Sequence, residues 1–360
     1  MFDRGVSRSE CPAVNQDDNL KKKILFLAKS DRQGASTRYR VYHFQSLLEG
    51  AGFDTQIIPQ AHSSNKITRP LRRFREFSVL FQHALEADII FIQKRLFPLS
   101  FLRKLSASGK PIVFDYDDAI FTTPSGTRSA WTRSRVIRRL RQTFEVSSLV
   151  FAGNKFLAEF ASQFADRVVI LPTAIDLAKY KTKDVSQTDR INLGWIGSKV
   201  NFRYLRTLEN VLAQLDGKIP DLSLTVVSDD EFLVSNMRVD NRSWSEESEM
   251  RDLHCFDVGL MPLEDDVWTN GKCALKALQY MAAGIPAVCS AVGANCEVIR
   301  DGVNGFLCSS EQDWIATLER LASHPGLREE IGLRGRRTVE DQYSLQVVAE
   351  QMIQNLRTLV

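Results

Sequence analysis

Short apolar runs alternate with amphipathic stretches along the whole chain. The runs at 24–28, 53–58, 88–93, 112–114, 149–152 and 168–171 read as strands. They are near-continuous rather than alternating, as expected of parallel strands covered on both faces. Between them, helical periodicity predicts helices over 38–50, 69–85, 99–106, 133–144 and 155–164. Alternation of strand and helix predicts right-handed βαβ units and a doubly wound parallel sheet. A polar, irregular stretch at 172–190 interrupts the pattern, which then restarts. Strands are predicted over 192–196, 222–227, 258–261, 287–290 and 305–307, and helices over 202–215, 246–253 and 271–283. Three helices, 311–322, 327–340 and 344–358, close the chain. The expected fold class is α/β, two facing Rossmann-like domains with a closing C-terminal helix and ligand at the carboxyl ends of the strands. The expected division is a disordered lead over 1–20, a first domain over 21–180, a linker over 181–190, a second domain over 191–343 and a last helix over 344–360 that crosses back to the first domain.

Length supports two cores, since 360 residues exceed what one ordinary core spans. With 44% apolar and 25% charged residues the composition is that of a soluble globular protein. No apolar run approaches the ~18 residues of a membrane-spanning helix. Residues 1–19 are polar, which argues against an export signal. Six cysteines without CxxC spacing point to reduced thiols and a cytoplasmic location, extending to the inner face of the membrane. The net charge of +3 conceals an asymmetry: residues 1–180 carry +11 and the remainder −8. A basic first half suits an anionic acceptor or peripheral membrane contact, through the arginine-rich segments 69–75 and 133–141, although a solvated surface gives the same count. Five histidines form no metal-ligand spacing, and neither a Walker sequence nor a serine elbow is present. Nothing in the sequence calls for a nucleic-acid partner.

Candidate chemistry concentrates in the segment 268–284, WTNGKCALKALQYMAAG. Asn270 reads as an N-cap and Gly284 as a C-terminal stop. Lys272, Lys276 and Gln279 follow at spacings of four and three and share one face of the predicted helix. A helix N-terminus beside a lysine suits an anionic group such as a diphosphate. Two solvated lysines on a half-buried helix would produce the same spacing. The turn GWIGSK at 194–199 ends a strand with glycines that permit close approach of the backbone, so Gly197 and Ser198 join the candidates. After the first strand, GASTRYR at 34–40 offers Ser36, Arg38 and Arg40 for phosphate or an acidic acceptor by charge-assisted hydrogen bonds. After the fourth, FDYDDAIF at 114–121 crowds three carboxylates into four residues, which is costly without a task. Asp117 and Asp118 are the catalytic candidates, for orienting an acceptor hydroxyl or taking its proton; capping of local turns is the competing role. Asp115 and Asp117 also spell DxD, a metal motif of a different, single-nucleotide-domain fold. Asn295 and Glu297 follow a Val-Gly turn and are weaker candidates.

The segment QYMAAGIPAVCSAVGANCEVI at 279–299, followed by DGVNGFL at 301–307, resembles the C-terminal signature of retaining GT-B glycosyltransferases of the glycogen-synthase-like group, family 4. The matching order is a helix ending in small residues and glycine, a proline, a strand, a VG loop, a Glu-Val-Ile step and a GxNG turn. That family usually carries two glutamates separated by seven residues; here Gly271 and Gln279 occupy those positions. Asn270, Lys272 and Lys276 stand in their place, as in a subgroup with a GKCxxK helix. The resemblance implies the GT-B fold and a nucleotide-diphosphate sugar as co-substrate, with no cofactor and no metal. It implies donor contacts from Gly197, Ser198, Asn270, Gly271, Lys272, Lys276 and Gln279. It puts the loop of Ser36, Arg38 and Arg40 against donor phosphates and acceptor. Asp117 or Asp118 falls where the family often holds a histidine near the reacting sugar. The implied partner is a glycan, lipid-linked or other cell-surface acceptor. The competing function is a catalytically silent GT-B-like module that binds a nucleotide or polysaccharide; a sugar-binding receptor fits poorly without an export signal.

Overall fold

The computed structural model describes residues 21–60, 69–123, 129–183, 190–235 and 237–360. The expected lead over 1–20 and most of the expected linker lie outside the described residues. The chain forms two six-stranded parallel sheets. The first contains β1 (Lys22–Ala28), β2 (Phe53–Pro59), β3 (Ile89–Gln93), β4 (Ile112–Tyr116), β5 (Leu149–Ala152) and β6 (Val168–Ile170), in the order β2-β1-β3-β4-β5-β6. The second contains β7 (Asn192–Ile196), β8 (Ser223–Ser228), β9 (Arg238–Ser243), β10 (Val258–Met261), β11 (Ala287–Ser290) and β12 (Phe306–Cys308), in the order β12-β11-β10-β7-β8-β9. Each order reverses direction once, between β1 and β3 and between β7 and β10. In open α/β sheets the crevice at that reversal, outside the carboxyl ends of the strands, is where ligands bind.

The strands form because their apolar runs can be covered on both faces. Ile24, Leu25, Leu27, Ile89, Ile90 and Phe91 are fully buried in β1 and β3. One face of the first sheet packs against helices Leu99–Ser106 and Ala130–Val146, through Leu102, Leu105, Leu140 and Phe144. The other face is completed from the far end of the chain. Leu345, Val348, Ala349, Met352 and Leu356, all on helix Leu345–Arg357, pack against Ile24, Phe26, Phe91 and Phe151. A fully buried leucine or methionine is worth ~2 kcal/mol, so this helix is part of the first domain's core although it follows the second domain in sequence. The chain makes that return crossing at a short bridge: Ile175 N–H donates to Tyr343 O at 2.8 Å, and Leu345 N–H donates to Ile175 O at 2.8 Å.

Three expectations are corrected. Strand β9 was not anticipated; its sequence RVDNRS is polar because it is an edge strand, where charge blunts unwanted pairing. The single helix expected over 38–50 is broken into Ala35–Arg40, a turn at Tyr42–Phe44 and Gln45–Gly50. The helix expected over 271–283 with Asn270 as N-cap is two helices, Val267–Asn270 and Leu275–Ala282. Asp266 caps the first through a reciprocal pair of bonds with Thr269, so Asn270 ends that helix instead of starting the next. Ala274, at φ 53° in the left-handed region, starts the second.

Candidate active site

A cleft of about 460 Å³ runs between the two domains, lined from both reversal points. Ala35 and Ser36 follow β1, and Asp117 and Asp118 follow β4. From the second domain come Gly197 and Ser198 after β7, Asp229 after β8, and Lys272–Lys276 after β10. That volume is in the range of pockets that hold drug-sized ligands or cofactors. A smaller cavity of about 200 Å³ lies behind it, with Cys273 in the wall between the two.

The phosphate-suited end of the cleft is built by the second domain. The backbone amides of Leu275, Lys276 and Ala277 open helix Leu275–Ala282, where the intrahelical ladder supplies them no partner; the first bond is Leu278 N–H to Ala274 O at 3.0 Å. Lys276 extends from the same turn across the face of Trp195, 5.3 Å from the ring centroid. Its stem occupies the space above Gly197, where a Cβ would stand 2.8 Å from Lys276 Cε. No carboxylate among the described residues pairs with Lys276. Burial, with a contribution from the charge of Lys272, pushes its ammonium down to about 7. Lys272 lies against the rings of Trp268 and Tyr204 at 5.5 and 5.9 Å. Burial lowers its pKa as well, opposed by the carboxylate of Asp118. Two half-buried cations short of anionic partners, beside open amides, form a receptor for a multiply charged anion.

The first domain supplies a carboxylate cluster. Asp117 accepts from Ser36 Oγ at 2.7 Å and pairs with Lys94 Nζ at 2.9 Å, and Asp118 Oδ2 pairs with the same Nζ. Burial opposes charge on both. At Asp117 the cations Lys94 and Arg40 overcome it and hold the carboxyl below its ordinary value. At Asp118 burial prevails, aided by the charge of Asp117, and the carboxyl is raised.

Not every sequence candidate reaches the cleft. Gly197, Ser198, Lys272, Lys276, Ser36, Arg38, Asp117, Asp118 and Gln279 line it. Arg38 is buried, its guanidinium against Trp244 and Tyr39 at 5.2 and 5.5 Å. Gln279 is spent on a buried network, donating from Nε2 to Tyr180 Oη and Glu249 Oε1, both at 3.0 Å, and to Tyr39 Oη at 3.3 Å. Arg40 lies in the core, where it pairs with Asp115 and donates to Leu171 O at 2.5 Å. Asp115 is thereby committed to Arg40, which leaves Asp117 as the one member of the DxD pattern that lines the cleft. Asn270 Nδ2 bonds Asp265 Oδ1 at 2.7 Å and Asp266 O at 2.9 Å. Gly271 packs against the first domain, where an added Cβ would stand 2.5 Å from Ala119 N. Asn270 and Gly271 therefore join the domains: Asn154 Nδ2 donates to Asn270 O and Lys272 O, each at 2.9 Å. Asn295 donates to Ser290 O at 3.0 Å, and Glu297 accepts from Lys155 N–H at 3.2 Å; both lie outside the large cleft. Sequence reasoning missed Lys94, Glu249 and Trp244. Lys94 left one signal, a charged pair Lys94-Arg95 directly after a strand that is apolar up to Gln93.

Comparison with known proteins agrees with this architecture. The sequence model of the family described as Glycosyl transferases group 1 matches residues 191–324. A curated relative, D-inositol 3-phosphate glycosyltransferase of Actinosynnema mirum, is 44% identical over 62 residues, 17% of this chain; the match spans only 15% of that relative's length. Among solved structures, Anabaena HepE in complex with UDP and glucose superposes with a TM-score of 0.67 at 16% identity, covering 94% of this chain and 100% of that one. Sucrose-phosphate synthase from Thermosynechococcus elongatus gives 0.70 at 15% identity over 94% and 99% of the two chains. A glycosyltransferase from Rickettsia africae gives 0.72 at 11%, over 94% and 98%. The chain has the GT-B fold.

Proposed function

We propose that this protein is a glycosyltransferase that moves a sugar from a nucleotide-diphosphate sugar to a glycan, lipid-linked or other cell-surface acceptor, with retention at the anomeric carbon. The observation that carries the reading is the anion receptor at the second domain's reversal point: Lys272, Lys276 and the open amides of Leu275–Ala277, facing carboxylates across the cleft. In the reaction the bond from the anomeric carbon to the diphosphate oxygen breaks and its electron pair leaves with the diphosphate. The acceptor oxygen bonds the anomeric carbon, and its proton ends on the leaving phosphate. Positive charge and backbone dipoles placed where negative charge develops stabilise that step most. Support for retention comes from the motif order over 279–307, and support for a nucleotide sugar from structural neighbours whose complexes contain UDP or UDP-glucose.

The test is hydrolysis of UDP- and GDP-linked sugars to free sugar and nucleoside diphosphate, with the anomer of the first product read by NMR. Wild type is expected to cleave at least one donor, and Lys272→Ala to lose roughly 10²-fold in kcat/KM. Binding without cleavage across the panel would favour the silent module. An inverted first product would remove retention and leave transfer standing.

The same reading includes peripheral membrane contact of the protein through its basic helices. No helix among the described residues is long and apolar enough to cross a membrane. Helix Ala130–Val146 exposes Trp131 (71% accessible) with Arg135 and Arg138 one and two turns on, an aromatic and cationic face suited to an anionic lipid surface. Sedimentation with phosphatidylserine-containing vesicles is expected to fall at least about tenfold in the variant W131S/R135E/R138E. Equal sedimentation of variant and wild type would sink the membrane assignment alone.

A further inference from the structure

Lys94 follows β3 with φ 54°, in the left-handed region that a lysine seldom adopts. Its N–H donates to Asp115 O at 2.9 Å, and the bend directs the side chain over the sheet end into the aspartate cluster. The side chain is 10% accessible, and its ammonium sits between Asp117 and Asp118. A non-glycine residue held in this conformation beside a cleft points to a task that the surroundings enforce.

The hydrogen bonds around it have only one consistent direction. Gln93 Oε1 accepts from Lys29 N–H at 2.9 Å, a donor that cannot reverse. The amide group of Gln93 must therefore face the other way, and Nε2 donates to Ser36 Oγ at 2.9 Å. With Gln93 donating to it, the Ser36 hydroxyl turns its own hydrogen to Asp117 Oδ1. Asp117 Oδ1 thus receives both a hydroxyl and an ammonium, two donors that favour the carboxylate. Both aspartates line the cleft, but Asp118 has Lys94 on Oδ2 as its one side-chain donor among the described residues, where Asp117 has two, and Asp118 is the more accessible (27% against 14%).

We propose that Lys94 is a positioning residue that divides the labour of the two aspartates, fixing Asp117 as a permanent counter-anion and holding Asp118 by one oxygen so that the other meets the acceptor hydroxyl. The opposite directions in which burial and charge move the two carboxyls agree with this division. The inference rests on the glycosyltransferase reading and fails separately from it.

The experiment compares wild type, Lys94→Met, Asp118→Asn and their double variant, using whichever of UDP-glucose or GDP-mannose the wild type hydrolyses, water being the acceptor. Lys94→Met is expected to lower kcat about 10²-fold with little change in KM. Losing the cation raises the carboxyl pKa, so the acidic limb of its kcat profile should move to higher pH by about one unit or more. In the Asp118→Asn background the same change should cost little further, since the two act together. Full additivity with an unmoved acidic limb would reduce Lys94 to a structural role and overturn the proposal. Should Lys94→Met fail to unfold cooperatively, Lys94→Arg carries the test: it keeps the cation, so its limb must stay near the wild-type position, and a limb displaced upward refutes the idea. If wild type cleaves none of the UDP- and GDP-linked donors, the glycosyltransferase reading falls first and takes this one with it.

Discussion

Lys276→Met is expected to abolish most donor cleavage while leaving a folded, more heat-stable protein. The amine extends from the first turn of the open helix start, its stem is confined between Gly197 and Trp195, and no carboxylate among the described residues pairs with it. A diphosphate is the counter-charge it lacks. Removing one preorganised donor of this kind costs 10²–10³-fold in turnover, and that is the expected loss in kcat/KM. Stability should move the other way, because the folded state holds the amine near 7 while the unfolded chain holds it at 10.5. The unfolded state then binds the extra proton between those values, so stability contributed by this group rises with pH across that window, and below it the site carries an unpaired half-buried charge. Methionine removes that charge, and the melting temperature at pH 6 should rise. The same titration predicts the donor's pH dependence: wild-type affinity weakens as pH climbs through 7, and Lys276→Arg, which stays charged, flattens the curve. A wild-type donor KM constant from pH 6 to 9 would contradict the unpaired-lysine description.

Arg40→Met should be among the most destabilising single changes in the first domain. Arg40 and Asp115 are both fully buried, and the guanidinium also ties Leu171 O and Pro172 O, at the end of the first sheet. Truncating one member leaves an uncompensated buried charge, with an expected cost of ~3–5 kcal/mol in urea unfolding. The paired replacement Arg40→Met with Asp115→Leu should recover much of that, because a dry apolar pair avoids the desolvation of both ions. Arg40→Lys should not, since an ammonium cannot reach carboxylate and carbonyls in one planar fork. A single-variant loss below about 1 kcal/mol would mean that the pair is hydrated in solution.

The alternating strands and helices were readable because both sheets are covered on two faces, which writes their strands as plain apolar runs. The turn at Gly197–Ser198 and the two lysines were readable for a related reason: chemistry at a strand's carboxyl end interrupts an apolar pattern. Arg38 and Arg40 show where this reading stops. Two residues apart on a helix are about 200° apart, so only one of them could face the cleft, and the choice depended on Asp115, 75 residues away. Lys94 was hidden in the same way, since its partners lie on the next strand's exit. The split at Ala274 was hidden because alanine is a strong helix former, yet here it holds φ 53° between two short helices.

The return of helix Leu345–Arg357 to the first sheet has a consequence for biosynthesis. A nascent chain whose first six strands have left the ribosome still lacks part of the cover for one side of that sheet, and the missing piece is translated only after the second domain. The leading half must therefore wait, partly unclad, through synthesis of the whole trailing half, an interval of ~10–40 s at ordinary elongation rates. Chaperone dependence and sensitivity to nonsense mutations ahead of helix Leu345–Arg357 should accordingly be concentrated in the first domain.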